Sequence, residues 1–342
     1  MYKLKQLPED FVVKEISDLK FNESGSCTYF KLKKKGRNTL DAIKEIAKAL
    51  GIKEKQIGFA GSKDKHAVTE QIISIKGTGK EKVLRVKVDH VELEFLGFGD
   101  QPVSLGDLIR NGFEITVRNL DEVSLEKIDY VENYFDEQRF SYNNVEIGRN
   151  IVKKDFGNAA KLVDYRGCQE HLAKKKSDFI GALKKVPLRL LRMYVNAYQS
   201  YLWNETIARY LKSKVELASE IVAEVSYSQG KLVFVRNKES LIDLDIPLIG
   251  FSPLVIEDAK LKDLITEIMN EENLGPNDFV IKQIPELSLE GDSRKAVVAV
   301  QNLVIRSIEE DELNHSKKKI LLKFSLSKGS YATMVVKRLF SS

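Results

Sequence analysis

The chain has 342 residues, 43% of them hydrophobic and 31% charged, with 55 Lys and Arg against 50 Asp and Glu. That length supports two buried cores, while a net charge of +5 is too small by itself to indicate a nucleic acid, so local clustering of cations matters more. Two isolated cysteines (Cys27, Cys168) and four scattered histidines give neither a disulfide framework nor zinc spacing, and no apolar run reaches a membrane span, so a soluble, cytoplasmic protein without metal or membrane partner is expected.

In chain order, a Pro8-Glu9-Asp10 turn feeds a short strand over residues 11–16, and a second strand is expected over 27–32. Residues 31–37, "KLKKKGR", are basic throughout and are a candidate for phosphate contacts. From Thr39, Leu40, Ile43, Ile46, Ala47 and Leu50 form one helical face, and Gly51 stands where a C-terminal cap belongs. Two apolar strand-like runs, "QIGFAG" and "VTEQIISIKG", flank the charged "GSKDKHA". "VELEFLG" sets Val91, Leu93 and Phe95 against Glu92 and Glu94, and "FEITVRN" repeats the alternation with Phe113, Ile115 and Val117. Several such strands with helices beside them fit an α+β class.

The middle of the chain reads as more helical. Pro187, in the first-turn position, opens a long amphipathic stretch in which Leu188, Leu191, Val195, Tyr198, Leu202 and Ile207 share a face. Residues 184–192 are a further basic segment suited to phosphate contacts. A helix over residues 261–273 stops at Gly275-Pro276. "KAVVAVQNLVI" and "KILLKFSL" read as strands, and a last helix starts near Ser330. The pattern is an α+β domain interrupted by a mostly helical insertion.

Four local features can carry chemistry, and each has an ordinary structural explanation. Lys63-Asp64-Lys65 places a carboxylate between cations, which favours its ionised, nucleophilic form. A solvated turn explains the same residues, and locally it is the better reading. "YVENYFDEQRFS", residues 130–141, combines aromatics that can stack on a base with Asn133, whose amide can read a base edge; core packing accounts for most of the aromatics. Phe11 reads as a core residue. Gly329 and Ser330 precede a helix whose first N–H groups suit a phosphate, and Ser330 also serves as an ordinary N-cap.

Together these stretches resemble the TruD family of tRNA pseudouridine synthases. "FAGSKDKHAVTEQ" is similar to that family's nucleophile motif, and "NYFDEQRFS" to its Asn-x-Phe…Gln-Arg-Phe motif. "PEDFVVKE", "NAYQSYLWN" and "KGSYATMVVKRL" are similar to three further signatures. The five motifs fall in the family's order between Pro8 and Leu339. The resemblance implies a pseudouridine-synthase-type mixed or antiparallel sheet, with a catalytic domain over 1–155 and 306–342 and a TRUD insertion over 156–305. It implies Asp64 as the catalytic aspartate, with Phe11, Asn133 and Tyr331 against the flipped uridine and Phe135 in the same pocket wall. Lys5 matches a basic residue near the aspartate; either Lys5 or Lys63 can support the carboxylate.

The implied activity is isomerisation of a tRNA uridine, by family habit uridine 13 of the D arm, by a monomer that needs no cofactor. On that reading Gly58 and Gly61 let a nucleotide sugar approach Asp64. The alternative is a non-catalytic RNA-binding protein or tRNA folding helper on the same fold; a phosphate-binding hydrolase lacks its motifs. Ser141 stands where the family has Gly, which would strain a left-handed backbone. Tyr331 replaces Phe.

Overall fold

The computed structural model describes residues 2–121, 124–215, 220–237, 239–253, 255–306 and 308–341. It divides into two compact units, Met1–Asp129 with Ala299–Ala332, and Tyr130–Val298 with Thr333–Ser342. The domain bounds expected from the sequence, 155/156 and 305/306, fall inside these units. Residues from Tyr130 onward fold with the second unit because their hydrogen bonds go there: Asn133 N–H donates to Ala296 O at 2.9 Å.

The first unit is built on a mixed sheet of nine strands among the described residues. Its order is Gln301–Ile305, Lys318–Ser327, Arg110–Leu120, Phe11–Ile16, Val68–Lys76, Cys27–Lys35, Val91–Gly99; Glu309–Glu310 pairs with Lys318–Ser327, and Ile57–Phe59 with Val68–Lys76. The pair Phe11–Ile16 and Val68–Lys76 is parallel, with Val12 opposite Val68, while Phe11–Ile16 runs antiparallel to Arg110–Leu120. Helix Thr39–Leu50 covers one face. Asn38 caps its start, Gly51 ends it at φ 68°, and Ile43, Ile46, Ala47 and Leu50 pack on Phe30, Leu32, Ile73 and Ile75. The spacing that predicted this helix is therefore the spacing of its buried face.

The second strand continues three residues past the expected end, to Lys35, and its alternation explains the basic segment. Phe30, Leu32 and Lys34 point into the core. Lys31 and Lys33 lie on the other face opposite Glu94 and Glu92, at 2.9 and 3.5 Å, while Lys35 pairs with Glu9 and Arg37 with Glu45. Four of the cations expected to meet phosphate, Lys31, Lys33, Lys35 and Arg37, are thus engaged with carboxylates of the same unit.

A buried ionic knot fixes the first turn. The Arg118 guanidinium donates to Asp10 Oδ1 (2.9 Å), Asp311 Oδ1 (2.8 Å) and Glu312 Oε1 (3.0 Å). Asp10 Oδ2 accepts from Leu7 N–H at 2.9 Å, closing the Pro8–Asp10 turn, and Lys3 exchanges two backbone hydrogen bonds with Arg118. Burial opposes ionisation of Asp311, but the N–H groups of Asn119 and Leu313, the Asn314 amide and Arg118 outweigh it and hold that carboxyl down at about 2.

In the second unit helix Leu188–Lys214 is the central rod, with Pro187 as its N-cap residue rather than inside its first turn. Leu191, Val195, Tyr198, Leu202 and Ile207 are buried as expected, but so are Tyr194, Ala197, Trp203, Asn204 and Tyr210 on other sides, and Leu188 is exposed. The helix is enclosed rather than one-faced. Helix Ala259–Glu271 begins and ends two residues earlier than expected. "KAVVAVQNLVI" is not one strand: the chain passes through Asp292–Lys295, Val297–Ala299 and Gln301–Ile305, which belong to three sheets. The last helix is Ala332–Leu339, so Ser330 precedes it by two residues and is not its N-cap. Among the described residues no helix is long and apolar enough to cross a membrane.

Candidate active site

The loop between Ile57–Phe59 and Val68–Lys76 carries Asp64, and buried polar groups grip its backbone from below. Thr39 Oγ1 accepts from Lys63 N–H at 2.9 Å, and Gln71 Nε2 donates to Gly61 O at 3.0 Å. Lys34, only 1% exposed, donates from Nζ to Asp64 O and Arg37 O, both at 2.7 Å, and to Lys63 O at 3.4 Å. Burial pushes the Lys34 ammonium down to about 8, against the attraction of Asp64. Sequence reasoning missed this residue. The signal was present in strand parity, since Lys34 follows Phe30 and Leu32 at intervals of two.

The Asp64 side chain emerges from this support about one-quarter exposed, its Oδ2 2.9 Å from Lys5 Nζ. Lys5 has a left-handed backbone, φ 56°, an uncommon state for a residue with a Cβ. The turn fixed by Asp10 and Arg118 lies directly after it. The Lys5 ammonium also sits over the Phe11 ring, 4.1 Å from its centroid, and Phe11 is 3% exposed and meets Phe113 in a T-shaped contact. Lys63, the other cation considered for Asp64, turns to Glu15 at 2.7 Å in a buried pair whose carboxylate also accepts from Ile72 N–H. Lys65 and His66 are exposed. Gly58 makes a close approach, but to protein: a Cβ there would lie 2.3 Å from Val103 O, whereas one at Gly61 would meet nothing within 4 Å.

Tyr331 also belongs to the first unit, half-buried after Gly329, which takes φ 81°. Lys328 ties this turn down through Nζ to Gly106 O at 3.0 Å. Asp64, Lys5, Phe11, Lys63 and Tyr331 are thus carried by one unit, while Asn133 and Phe135 are carried by the other.

In the second unit the Asn133 amide is fully oriented. Its Oδ1 accepts from Arg294 Nη2 at 2.6 Å and its Nδ2 donates to Lys295 O at 3.1 Å. Arg294 also donates from Nε to Asn133 O, and its guanidinium lies 4.2 Å from the Phe135 ring centroid and 5.3 Å from that of Trp203. Asn204 clamps Phe135 by accepting from its N–H (3.0 Å) and donating to its carbonyl (2.9 Å). The "NAYQSYLWN" stretch therefore holds the pocket residue proposed at Phe135. Arg294 was missed because nothing near it in sequence marks it. Ser141 has φ −52°, so no strain arises there; the left-handed residue is the exposed Tyr142, at φ 55°.

The family model described as tRNA pseudouridine synthase D (TruD) matches residues 2–170 and 162–339. The chain belongs to the TruD family. It is 32% identical to the tRNA pseudouridine synthase D of Aquifex aeolicus, over 99% of this chain and 98% of that protein. A Methanococcus maripaludis protein named "Probable tRNA pseudouridine synthase D 1" is 31% identical, with 99% of each chain covered. A crystal structure described as that of the "Putative tRNA pseudouridine synthase D (TruD)" from Methanosarcina mazei superposes with a TM-score of 0.70 at 25% identity, covering 99% of this chain and 93% of that one. The mixed α+β fold of this TruD-family chain is the fold of that structure. Among the described residues no group of three or more His, Cys, Asp or Glu is placed to hold a metal ion.

Proposed function

We propose that this chain isomerises a uridine of tRNA, uridine 13 of the D arm, to pseudouridine, with Asp64 as the reacting carboxylate. The observation that carries the reading is the setting of Asp64: a partly exposed carboxylate held by Lys5 at 2.9 Å on a loop whose carbonyl is gripped by a buried lysine. A solvated turn has no need of such support beneath it.

The reaction breaks the N1–C1′ bond, turns the uracil and joins C5 to C1′; the proton lost from C5 is balanced by one gained at N1, so no atoms are gained or lost. Asp64 either attacks C1′ to form a covalent ester or removes the C2′ proton to give a glycal; both routes use the carboxylate in its ionised form. The target nucleotide must leave its stack, at a cost of a few kcal/mol. Stacking offsets this by about 1–3 kcal/mol per aromatic contact, the role assigned to Tyr331, while Phe135, its ring packed on Arg294 and Trp203, serves as pocket wall. Phe11, whose ring carries the Lys5 ammonium, sets the position of that cation and thereby of Asp64. Asn133, its amide direction fixed by Arg294, reads the uracil edge. Lys5 and Asp64 hold each other in place, and the protein side of the reaction involves no cofactor.

The test is Asp64→Asn. Affinity for unmodified tRNA transcript is expected within a few-fold of wild type while pseudouridine formation disappears. Measurable turnover by that variant would sink the assignment, and a transcript with uridine 13 replaced by cytidine that still gains pseudouridine would move the target.

A further inference from the structure

Helix Thr39–Leu50 joins two places. At its N-terminal end Thr39 holds the Asp64 loop; at its other end Ala49, together with Glu81, Lys82, Arg85 and Lys87, lines an open groove of about 530 Å³. Ten residues of helix separate them by roughly 15 Å. The cations of this groove differ from those of the neighbouring strand. Lys31, Lys33, Lys35 and Arg37 each face a carboxylate, whereas Lys82, Arg85 and Lys87 are exposed and make no ion pair among the described residues. Lys44 and Lys48, one turn apart on the exposed side of the helix, are likewise without a carboxylate partner among the described residues. The acids on these elements are Asp41, Glu45 and Glu81. Glu45 is taken by Arg37 and Glu81 lies beside Lys80, and Asp41 is at the far end of the helix from the groove.

Unneutralised charge gathered on one face attracts a polyanion, and an open groove rimmed by Lys82, Arg85 and Lys87 suits a charged backbone. We propose that this groove, with the exposed side of the helix leading to it, binds the sugar-phosphate backbone of the RNA substrate away from the nucleotide presented to Asp64. The proposal rests on the functional reading above. A duplex carries one backbone charge per about 1.7 Å of its axis, so several phosphates lie along the span from Asp64 to the groove. These contacts position the RNA without reading its sequence.

The experiment is the binding of unmodified tRNA transcript by the full chain at several salt concentrations, for wild type and for the triple variant K82Q/R85Q/K87Q. Each phosphate contact contributes about 0.7–0.9 to the slope of log affinity on log salt. The variant is expected to lose about two units of slope and roughly ten-fold in affinity at low salt, with the single-turnover rate at saturating RNA unchanged. The charge-keeping variant K82R/R85K/K87R is expected to bind as wild type does. Unchanged affinity and slope in the triple glutamine variant would overturn the proposal, as would equal losses in the charge-keeping variant. Binding is scored separately from turnover, so a wild-type chain that binds tRNA without making pseudouridine counts against Asp64 chemistry, while the slope still decides the groove.

Discussion

Replacing Lys34 by methionine tests whether the loop under Asp64 is held for chemistry or for stability. Methionine keeps most of the volume and all of the apolar stem, so the main change is loss of the ammonium. Three carbonyls, those of Arg37, Lys63 and Asp64, lose a donor, and a buried acceptor left unmet costs about 1–3 kcal/mol. Against this, the ammonium itself is held unfavourably: burial takes it from 10.5 to about 8, a handicap on the charged form of about 3 kcal/mol. The two effects oppose each other, so the variant should lose no more than about 3 kcal/mol in urea denaturation. Its single-turnover rate should fall about 100-fold, the effect of misplacing a reacting group by an ångström or so.

The pH dependence separates the two roles further. Between about pH 8 and 10.5 the unfolded chain keeps a proton on this lysine that the folded chain has shed. The Lys34 contribution to stability therefore rises with pH across that window and is lost as pH falls through about 8. The rate should move the other way, because the neutral amine has two N–H groups for three carbonyls. An alkaline limb near pH 8 is expected in the wild type and not in the Lys34→Met variant. A folded variant that retains a rate within three-fold of wild type would refute the reasoning.

Two further substitutions probe the supports of the site. Asp311→Asn removes the charge that Arg118 and the Asn119 N–H meet, and should cost about 2–4 kcal/mol in urea denaturation even though Asp10 and Glu312 remain. Asn204→Ala removes both hydrogen bonds to the Phe135 backbone; a loss of about 2–4 kcal/mol is expected, whereas a wild-type midpoint would show that Phe135 is held by ring packing on Trp203 and Arg294 alone.

Local periodicity made much of the first unit legible. The face of helix Thr39–Leu50, its Gly51 cap and the alternation of Val91–Gly99 depend on neighbours within a few residues, and they read directly from the sequence. What failed depended on partners far along the chain. The basic run at 31–37 read as a phosphate site because Glu92 and Glu94, its partners, enter only through strand pairing some 60 residues later. The "KAVVAVQNLVI" run read as one strand because apolar continuity does not reveal a change of sheet. Lys63 and Lys5 were equivalent candidates in sequence, since a side chain's direction in a loop is set by where Glu15 and the Asp10 turn lie. The motifs themselves placed Asp64 and Asn133 in context without showing that Lys34 and Arg294 hold them.

The order of the first sheet has a consequence for how the chain is made. Strand Lys318–Ser327 pairs with Arg110–Leu120, and the roughly 170 residues of Tyr130–Val298 lie between them in sequence. With about 200 residues from Leu120 to Lys318, synthesis at about 5–20 residues per second separates the emergence of the two partners by some 10–40 s. Throughout that interval Arg110–Leu120 presents an unpaired edge and Arg118 has Asp10 but neither Asp311 nor Glu312. The nascent chain therefore makes all of Tyr130–Val298 while the first unit is still waiting for its last strands, and the turn that carries Lys5 to Asp64 is locked only once Asp311 and Glu312 have been made.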